Sequence, residues 1–362
     1  MRIMLVTDAW EPQVNGVVRT LSRTVQELRE MGHEVMMVTP NDGYKTIPLP
    51  TYPEIKMALF AKDDIEERFE DFEPEAVHIA TEGTLGLTAR RICIQHRFPF
   101  STSYHTQYPE YVSARFPIPV GWGYAFVRWF HHMAGRVMVA TPTMHDLLVS
   151  RGFKNLAMWT RGVDTEQFHP RLRVADRGPL AGIQGPIFLY VGRVSVEKNV
   201  EAFLACNLKG TKVVVGDGPA RVDLETRFPE AKFLGAKFGE ELAACYANAD
   251  VFVFPSYTDT FGLVILEAMA TGTPVAAFIA PGPKDIIPGS HAGVIGDDLT
   301  ASIEACLSLD RDQVRKYAEG FSWRACAEQF LENLDPLPVM ERYKVWNRVK
   351  NALRLRRKRK PT

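Results

Sequence analysis

Residues Val251–Ala277, VFVFPSYTDTFGLVILEAMATGTPVAA, read as strand, loop, helix, turn and strand. Val251–Phe254 is a short β-branched and aromatic run of the kind that forms a fully buried strand, and Pro255 ends it. A polar loop, Ser256–Thr260, leads to a helix predicted to open at Gly262–Leu263 and to run to Ala270, where Gly272 and Pro274 stop it. Asp259 lies in the loop, and Glu267 follows eight residues on, inside an apolar run. A buried carboxylate without donors is costly, so Glu267 must find hydrogen-bond partners. Glu267 would be accounted for if it only complemented the positive helix start. Its pairing with Asp259, beside the backbone N–H groups of Phe261, Gly262 and Leu263, favours a site. There a helix start receives an anion, and carboxylates accept from the hydroxyls of a sugar or ribose.

Outward from this stretch, the chain repeats strand, loop and helix. Pro186–Val191 is a buried-strand pattern followed by Gly192-Arg193-Val194-Ser195-Val196-Glu197-Lys198-Asn199. Arg193 and Lys198 bracket a helix start beyond a strand end, which suits a diphosphate; the plainer alternative is a solvated basic loop. Val213–Val215 meets Gly216-Asp217-Gly218-Pro219, a tight turn that lets backbone approach a nucleotide. Toward the N-terminus, Arg2–Val6 is a strand, Val17, Leu21, Val25 and Leu28 form a helical stripe closed by Gly32, and Glu34–Val38 is a strand. That order opens a parallel α/β sheet, whose ligands sit beyond the strand carboxyl ends. No GxGxxG occurs, so no dinucleotide cofactor is expected. Ala76–Ala80 and Pro99–Tyr104 are further strands, the second leading to His105-Thr106-Gln107-Tyr108.

Several of these strings resemble family-four retaining glycosyltransferases of the GT-B fold. DTFGLVILEAMATGTPVAA is similar to their nucleotide-sugar signature, a carboxylate, seven residues and Glu, with Asp259 standing where the family usually has Glu. GRVSVEKN matches the family's GR-x-x-x-x-K pattern, and RGVDTEQFHP (Arg161–Pro170) its domain-boundary motif. NGVVRTL (Asn15–Leu21) and HIATEG (His78–Gly83) resemble the lipid-directed subfamily of sulfoquinovosyl-diacylglycerol synthases and bacterial lipid mannosyltransferases. The resemblance implies two Rossmann-like domains facing an interdomain cleft: 1–172 for the acceptor and 173–321 for the nucleotide sugar, with a helix at 322–334 crossing back onto the first. It implies that Arg193, Lys198, Asp259 and His105 serve catalysis. Donor contacts are expected from Gly16, Gly216, Phe261, Gly262, Leu263 and Glu267, and acceptor-side contacts from Asn15, Tyr104 and Tyr108. A front-face substitution with no protein nucleophile, cofactor or metal follows from the same resemblance. Asp310-Arg311-Asp312 fits a DxD metal motif but sits at a helix start, where capping is the better reading.

Composition agrees with an enzyme of two ordinary domains: 362 residues, 46% hydrophobic and 24% charged. Five scattered cysteines suggest buried thiols in a reducing compartment rather than a disulfide frame. Arg2–Val6 runs directly into Thr7-Asp8, so no signal peptide is expected. The longest apolar stretch, Gly262–Gly282, is interrupted by Glu267 and Gly-Thr-Pro and does not read as a membrane span. Charge is uneven. Residues 341–362 carry ten Lys and Arg against one acid, +9, and the other residues hold 33 basic and 42 acidic, −9. In that tail Val345, Trp346, Val349 and Leu353 share a helical face among cations, an expected interfacial helix on anionic membrane rather than a nucleic-acid patch. Between Tyr104 and His132 lie nine aromatics in 29 residues, either core or, through Phe116 and Trp122, contact with acceptor or membrane.

The expectation is therefore a metal-independent retaining hexosyltransferase, peripheral on the cytoplasmic face of a membrane, moving sugar from a UDP- or GDP-linked donor to a lipid such as diacylglycerol or a glycolipid. The alternatives are extension of a polysaccharide or lipopolysaccharide core, and a non-catalytic sugar- or lipid-binding protein.

Overall fold

The computed structural model describes residues 1–13, 15–49, 52–115 and 118–357. Two compact units emerge: Met1–Ala140 with His145–Thr160 and Cys326–Thr362, and Arg161–Ala325 with Thr141–Met144. The division after Thr160 corrects the expected boundary at 172/173. The stretch expected as linker, 171–185, is pinned within the second unit by Arg173 and Arg177, which both bond Asp250 at 3.1 and 2.9 Å. Asn248 accepts from Val174 N–H at 2.9 Å.

In the first unit the elements are β1 (Arg2–Val6), α1 (Gly16–Glu30), β2 (Glu34–Val38), β3 (Lys45–Leu49), β4 (Tyr52–Leu59), α2 (Lys62–Phe72), β5 (Ala76–Ile79), α3 (Thr84–His96) and β6 (Ser101–Ser103). After them come α4 (Tyr108–Arg115), α5 (Val120–His131), β7 (Arg136–Val139), α6 (Pro142–Ser150) and β8 (Leu156–Met158). Among the described residues the main sheet has the order β2-β1-β5-β6-β7-β8, all parallel, and β3 and β4 form an antiparallel pair. Strands such as β1 and β5 are buried almost throughout, as parallel strands covered on both faces must be. The order reverses between β1 and β5, and Asp8 leaves β1 there. Its carboxylate accepts from Leu85 and Gly86 N–H at 2.8 and 3.2 Å and from Thr81 and Thr84 hydroxyls at 3.0 and 3.3 Å. Burial raises the Asp8 carboxyl above its ordinary value despite these donors. A Cβ on Gly83 would stand 2.3 Å from Asp8 Cγ, so the glycine of HIATEG makes room for a carboxylate at the start of α3.

The second unit contains β9 (Ile187–Val191), α7 (Val200–Ala205), β10 (Thr211–Val215), α8 (Arg221–Arg227), β11 (Lys232–Phe233), α9 (Gly239–Asn248), β12 (Val251–Phe254) and α10 (Leu263–Ala270). It continues through β13 (Val275–Ala277), α11 (Pro283–Ile286), β14 (Gly293–Ile295), α12 (Leu299–Cys306) and α13 (Arg311–Ala318). Its sheet, again parallel, runs β11-β10-β9-β12-β13-β14, so the switch point lies between β9 and β12. β12 and α10 fall where the periodicity placed them. Asp310 caps α13, its carboxylate accepting from Asp312 N–H at 2.9 Å, the structural reading of that DxD. Gly162 of the boundary motif packs against the 322–323 backbone, where a Cβ would lie 2.5 Å from Trp323 N.

Two C-terminal helices follow, α14 (Trp323–Glu332) and α15 (Val339–Arg357). From Cys326 onward the chain belongs to the first unit. Phe330 packs against Trp159 and His78, at 5.0 and 4.8 Å between ring centroids, and Trp159 Nε1–H donates to the Cys326 carbonyl at 3.1 Å. α15 corrects the interfacial-helix expectation. Val345, Trp346 and Val349 are 1%, 7% and 1% exposed, and the Trp346 ring lies 5.1 Å from Phe69 and 5.7 Å from Phe98. An apolar stripe beside a core of its own chain buries itself there, which the helical spacing alone does not distinguish from binding to lipid. The Leu353 side chain and residues 358–362 lie outside the described residues, as do Phe116 and Pro117. All five cysteines are buried and none is in a disulfide. No helix among the described residues is long and apolar enough to cross a membrane.

Candidate active site

The loops leaving β9 and β12 meet at the switch point of the second sheet. Asn199 Nδ2–H donates to the Pro255 carbonyl at 3.2 Å, and the Thr258 hydroxyl to the Glu197 carbonyl at 3.2 Å. Between these stitches Lys198 Nζ donates to Asp259 Oδ1 at 2.5 Å. The two residues, assigned separately to diphosphate and sugar, are thus one ion pair, with side chains 23% and 20% exposed. Asp259 Oδ2 and Ser195 Oγ are buried without a hydrogen-bond partner. A buried carboxylate oxygen left unpaired is costly, so this loop cluster is shaped for donors that arrive from outside it. Tyr190, at the end of β9, closes the floor: its hydroxyl donates to the Arg193 carbonyl at 2.8 Å, and burial together with the Asp259 charge raises its phenol well above the ordinary range.

The helix expected after Lys198 is reduced. Val196–Lys198 is a 3-10 turn and α7 only six residues, so cationic side chains rather than a helix dipole carry the positive charge here. Arg193 is exposed. α10 begins at Gly262, φ +90°, with no side-chain cap on its first N–H groups. Phe261 is buried beneath Gly282, where a Cβ would meet the Phe261 carbonyl at 2.3 Å, and Leu263 opens the helix. Glu267 is 3% exposed, and the Tyr246 hydroxyl donates to its Oε2 at 3.0 Å.

Gly216 has a nearer task than the nucleotide contact expected of it. At φ +139° its Cβ would stand 1.9 Å from the Gly192 carbonyl oxygen, and that of Gly218 2.3 Å from the Val194 carbonyl. Gly192 and Val194 N–H donate to Val215 and Asp217 carbonyls at 3.0 and 2.9 Å. The two glycines therefore let the 216–218 turn clamp the arginine loop.

In the first unit His105 Nε2 lies 2.8 Å from Ser103 Oγ, which also lies 3.1 Å from Nε2 of buried His78, and its ring meets Trp159 edge-on at 5.6 Å. Tyr108 is 40% exposed. Tyr104 corrects its acceptor-side expectation: at 1% exposed it packs against His131 and Phe153, a core residue. Asn15, exposed, has a structural task as well. Its Oδ1 accepts from Val17 and Val18 N–H at 3.0 Å, the N-cap of α1, whose first residue is Gly16.

Two family descriptions match the chain, Glycosyltransferase Family 4 over residues 14–167 and Glycosyl transferases group 1 over 185–312. A sulfoquinovosyl transferase of Arabidopsis thaliana is 31% identical, over 86% of this chain and 69% of its own length. The chain belongs to glycosyltransferase family 4. A GDP-mannose-dependent α-mannosyltransferase of Mycobacterium tuberculosis is 30% identical to this family-4 enzyme, over 82% of this chain and 83% of the relative. An α-monoglucosyldiacylglycerol synthase of Streptococcus pneumoniae is 29% identical, over 82% and 75%. Among solved structures, sucrose-phosphate synthase of Thermosynechococcus elongatus superposes with a TM-score of 0.74 at 22% identity, covering 91% of this chain and 97% of that one. Its fold, two Rossmann-like domains of the GT-B class, is the fold of this enzyme.

Sequence reasoning about the family-4 site missed Tyr190, Ser195 and Tyr246. Ser195 was within the quoted loop, and only its burial without a partner marks it. Tyr190 and Tyr246 look like core aromatics in a linear reading, and their hydroxyls acquire meaning only from Arg193 and Glu267 beside them.

Proposed function

We propose that this glycosyltransferase moves a hexosyl group from a UDP- or GDP-linked sugar to a membrane lipid, diacylglycerol or a glycolipid, at the cytoplasmic face, with retention of configuration and without a bound metal. The observation that carries the reading is the Lys198–Asp259 pair with its unpartnered Asp259 Oδ2, beyond β9 and β12 and beside the uncapped start of α10. An ammonium has three donors, so Lys198 can hold Asp259 and still meet a diphosphate. Arg193 and the first N–H groups of α10 add to the stabilisation of the departing phosphate. Asp259 Oδ2 accepts from sugar hydroxyls, Glu267, oriented by Tyr246, from the ribose, and His105 hydrogen-bonds the transferring sugar. The acceptor oxygen bonds the anomeric carbon on the face from which the nucleoside diphosphate leaves, and its proton passes to the departing phosphate oxygen. The lipid acceptor is supported by the names of relatives, among them an α-monoglucosyldiacylglycerol synthase and a phosphatidylinositol dimannoside mannosyltransferase.

The test is incubation with each UDP- and GDP-sugar and total lipid extract, with products identified by mass and their anomeric configuration by NMR. A new α-glycolipid formed in the presence of EDTA is expected. Turnover only on a polysaccharide or lipopolysaccharide core, or restored only by Mg²⁺, would overturn the acceptor or the metal-free part respectively.

A further inference from the structure

Pro186, Asp250 and Pro274 each stand just before a strand, β9, β12 and β13, and they line an open cavity of about 370 Å³ at the amino ends of the second sheet. The donor loops leave the carboxyl ends of β9 and β12. The cavity is therefore at the far end of the same strands, roughly 16 Å away along the five residues of β9. Three arginines converge on it. Arg173 Nη1 donates to the Ala247 and Ala249 carbonyls at 3.1 and 3.0 Å, and Arg311 donates to the same two oxygens from Nη2 and Nη1, both at 3.0 Å. Nitrogens that each lie about 3 Å from a common oxygen are no more than about 6 Å apart, so two guanidinium groups are held side by side. Arg177 adds a third, bonded to the Asn248 carbonyl at 3.2 Å and to Asp250 Oδ2 at 2.9 Å.

Capping the C-terminal end of α9 accounts for only part of this charge. The helix end supplies about half a negative charge, and Asp250, the one acid lining the cavity among the described residues, a whole one. Against three guanidinium groups, roughly one and a half positive charges stay uncompensated. Burial, together with the adjoining Arg173 and Arg177, pushes the Arg311 guanidinium down to about 10, as cations crowded with too little counter-charge require. Arg177 bonds through Nη1 alone, so among the described residues its Nη2 and Nε have no hydrogen-bond partner. A monocarboxylate would meet only part of the excess. A phosphate group carries about −1.5 to −2 at pH 7 and takes forked bonds from guanidinium groups, which matches both the charge and the donors. Leu307 and Leu309 wall the rest of the cavity beside the two prolines. We infer that this cavity is a second anion site, binding a small phosphate-bearing molecule apart from the donor site.

The experiment uses the full chain carrying Arg193→Ala/Lys198→Ala, which disables the proposed diphosphate site, so that an anion still bound is held elsewhere. Titration calorimetry at fixed ionic strength, with inorganic phosphate and with glycerol 3-phosphate, is expected to show saturable binding at one site per chain. The tighter of the two probes tells whether free phosphate or an ester is the ligand. Acetate is expected not to bind. Leu307→Glu places a carboxylate on the cavity rim at a residue 46% exposed. It is expected to weaken phosphate binding at least tenfold with the ligand-free melting temperature unchanged, while Leu307→Gln binds as before. Arg177→Gln, which leaves Asp250 its 3.1 Å bond to Arg173, is expected to weaken binding at least tenfold as well. Absence of saturable binding overturns the inference, as do full affinity in Leu307→Glu and acetate binding as tight as phosphate. Binding seen only when Arg193 and Lys198 are intact overturns it too, and leaves the proposed glycosyl transfer standing.

Discussion

Lys198 and Asp259 act on each other before they act on any ligand. Removing the lysine leaves a carboxylate with no cation beside it, and removing the carboxylate frees an ammonium from the position the loop stitches define. Each single change, Lys198→Ala or Asp259→Asn, is expected to lower kcat/KM at least tenfold, about 1.4 kcal/mol of transition-state stabilisation. Because the residues touch, the double variant is expected to lose clearly less than the product of the two. Product-like losses in steady-state assays would show that the pair does not work as a unit. Asp259→Glu keeps the charge and is expected to stay within a few-fold of the parent, since only a carboxylate accepts charge-assisted bonds from both lysine and sugar. Asn15 belongs to the same scale with a different role: Asn15→Ala is expected to cost about 1 kcal/mol of stability through the lost α1 cap, read as a lower denaturation midpoint.

Among the elements, the turn after β10 decides whether the arginine loop keeps its shape. Gly216→Ala places a methyl where the Gly192 carbonyl already lies, at a φ that L-residues rarely adopt. The expected loss is roughly 2–3 kcal/mol or more, with nucleotide-sugar affinity falling as well, measured by thermal unfolding and calorimetry. A stable variant with normal donor affinity would mean the clamp is dispensable. Asp8 is the counterpart in the first unit. Four donors converge on its two oxygens, and an amide nitrogen cannot accept, so Asp8→Asn strands those facing it. A lower melting temperature is expected, corresponding to about 2 kcal/mol.

For the molecule as a whole, the last helix is a structural part of the first unit. Trp346→Ala is expected to cost about 3–5 kcal/mol, since the ring fills space against Phe69 and Phe98. A truncation before Trp346 is therefore expected to destabilise the first unit, read by circular dichroism against the full chain; equal stability would return Trp346 to the surface.

The local grammar of this chain was enough for its class and for the strand ends that carry the residues expected at the donor. Buried parallel strands write themselves as apolar runs, α10 is bounded by Gly262 and Gly272, and Asp259, Glu267, Arg193 and Lys198 stand at strand ends where an α/β sheet keeps its ligands. Three things were decided only by tertiary packing. The partner of an apolar stripe is invisible in its period, so α15 read as a membrane helix and lies in the core, while the exposed Trp122, Phe126 and Trp129 of α5 were indistinguishable from core aromatics. The reason for a glycine depends on what approaches it, and for Gly216 that is the Gly192 carbonyl, remote in sequence. The state of a charge depends on its neighbours in space: Lys198 meets Asp259 because β9 and β12 are adjacent in the sheet, a pairing that no local pattern encodes.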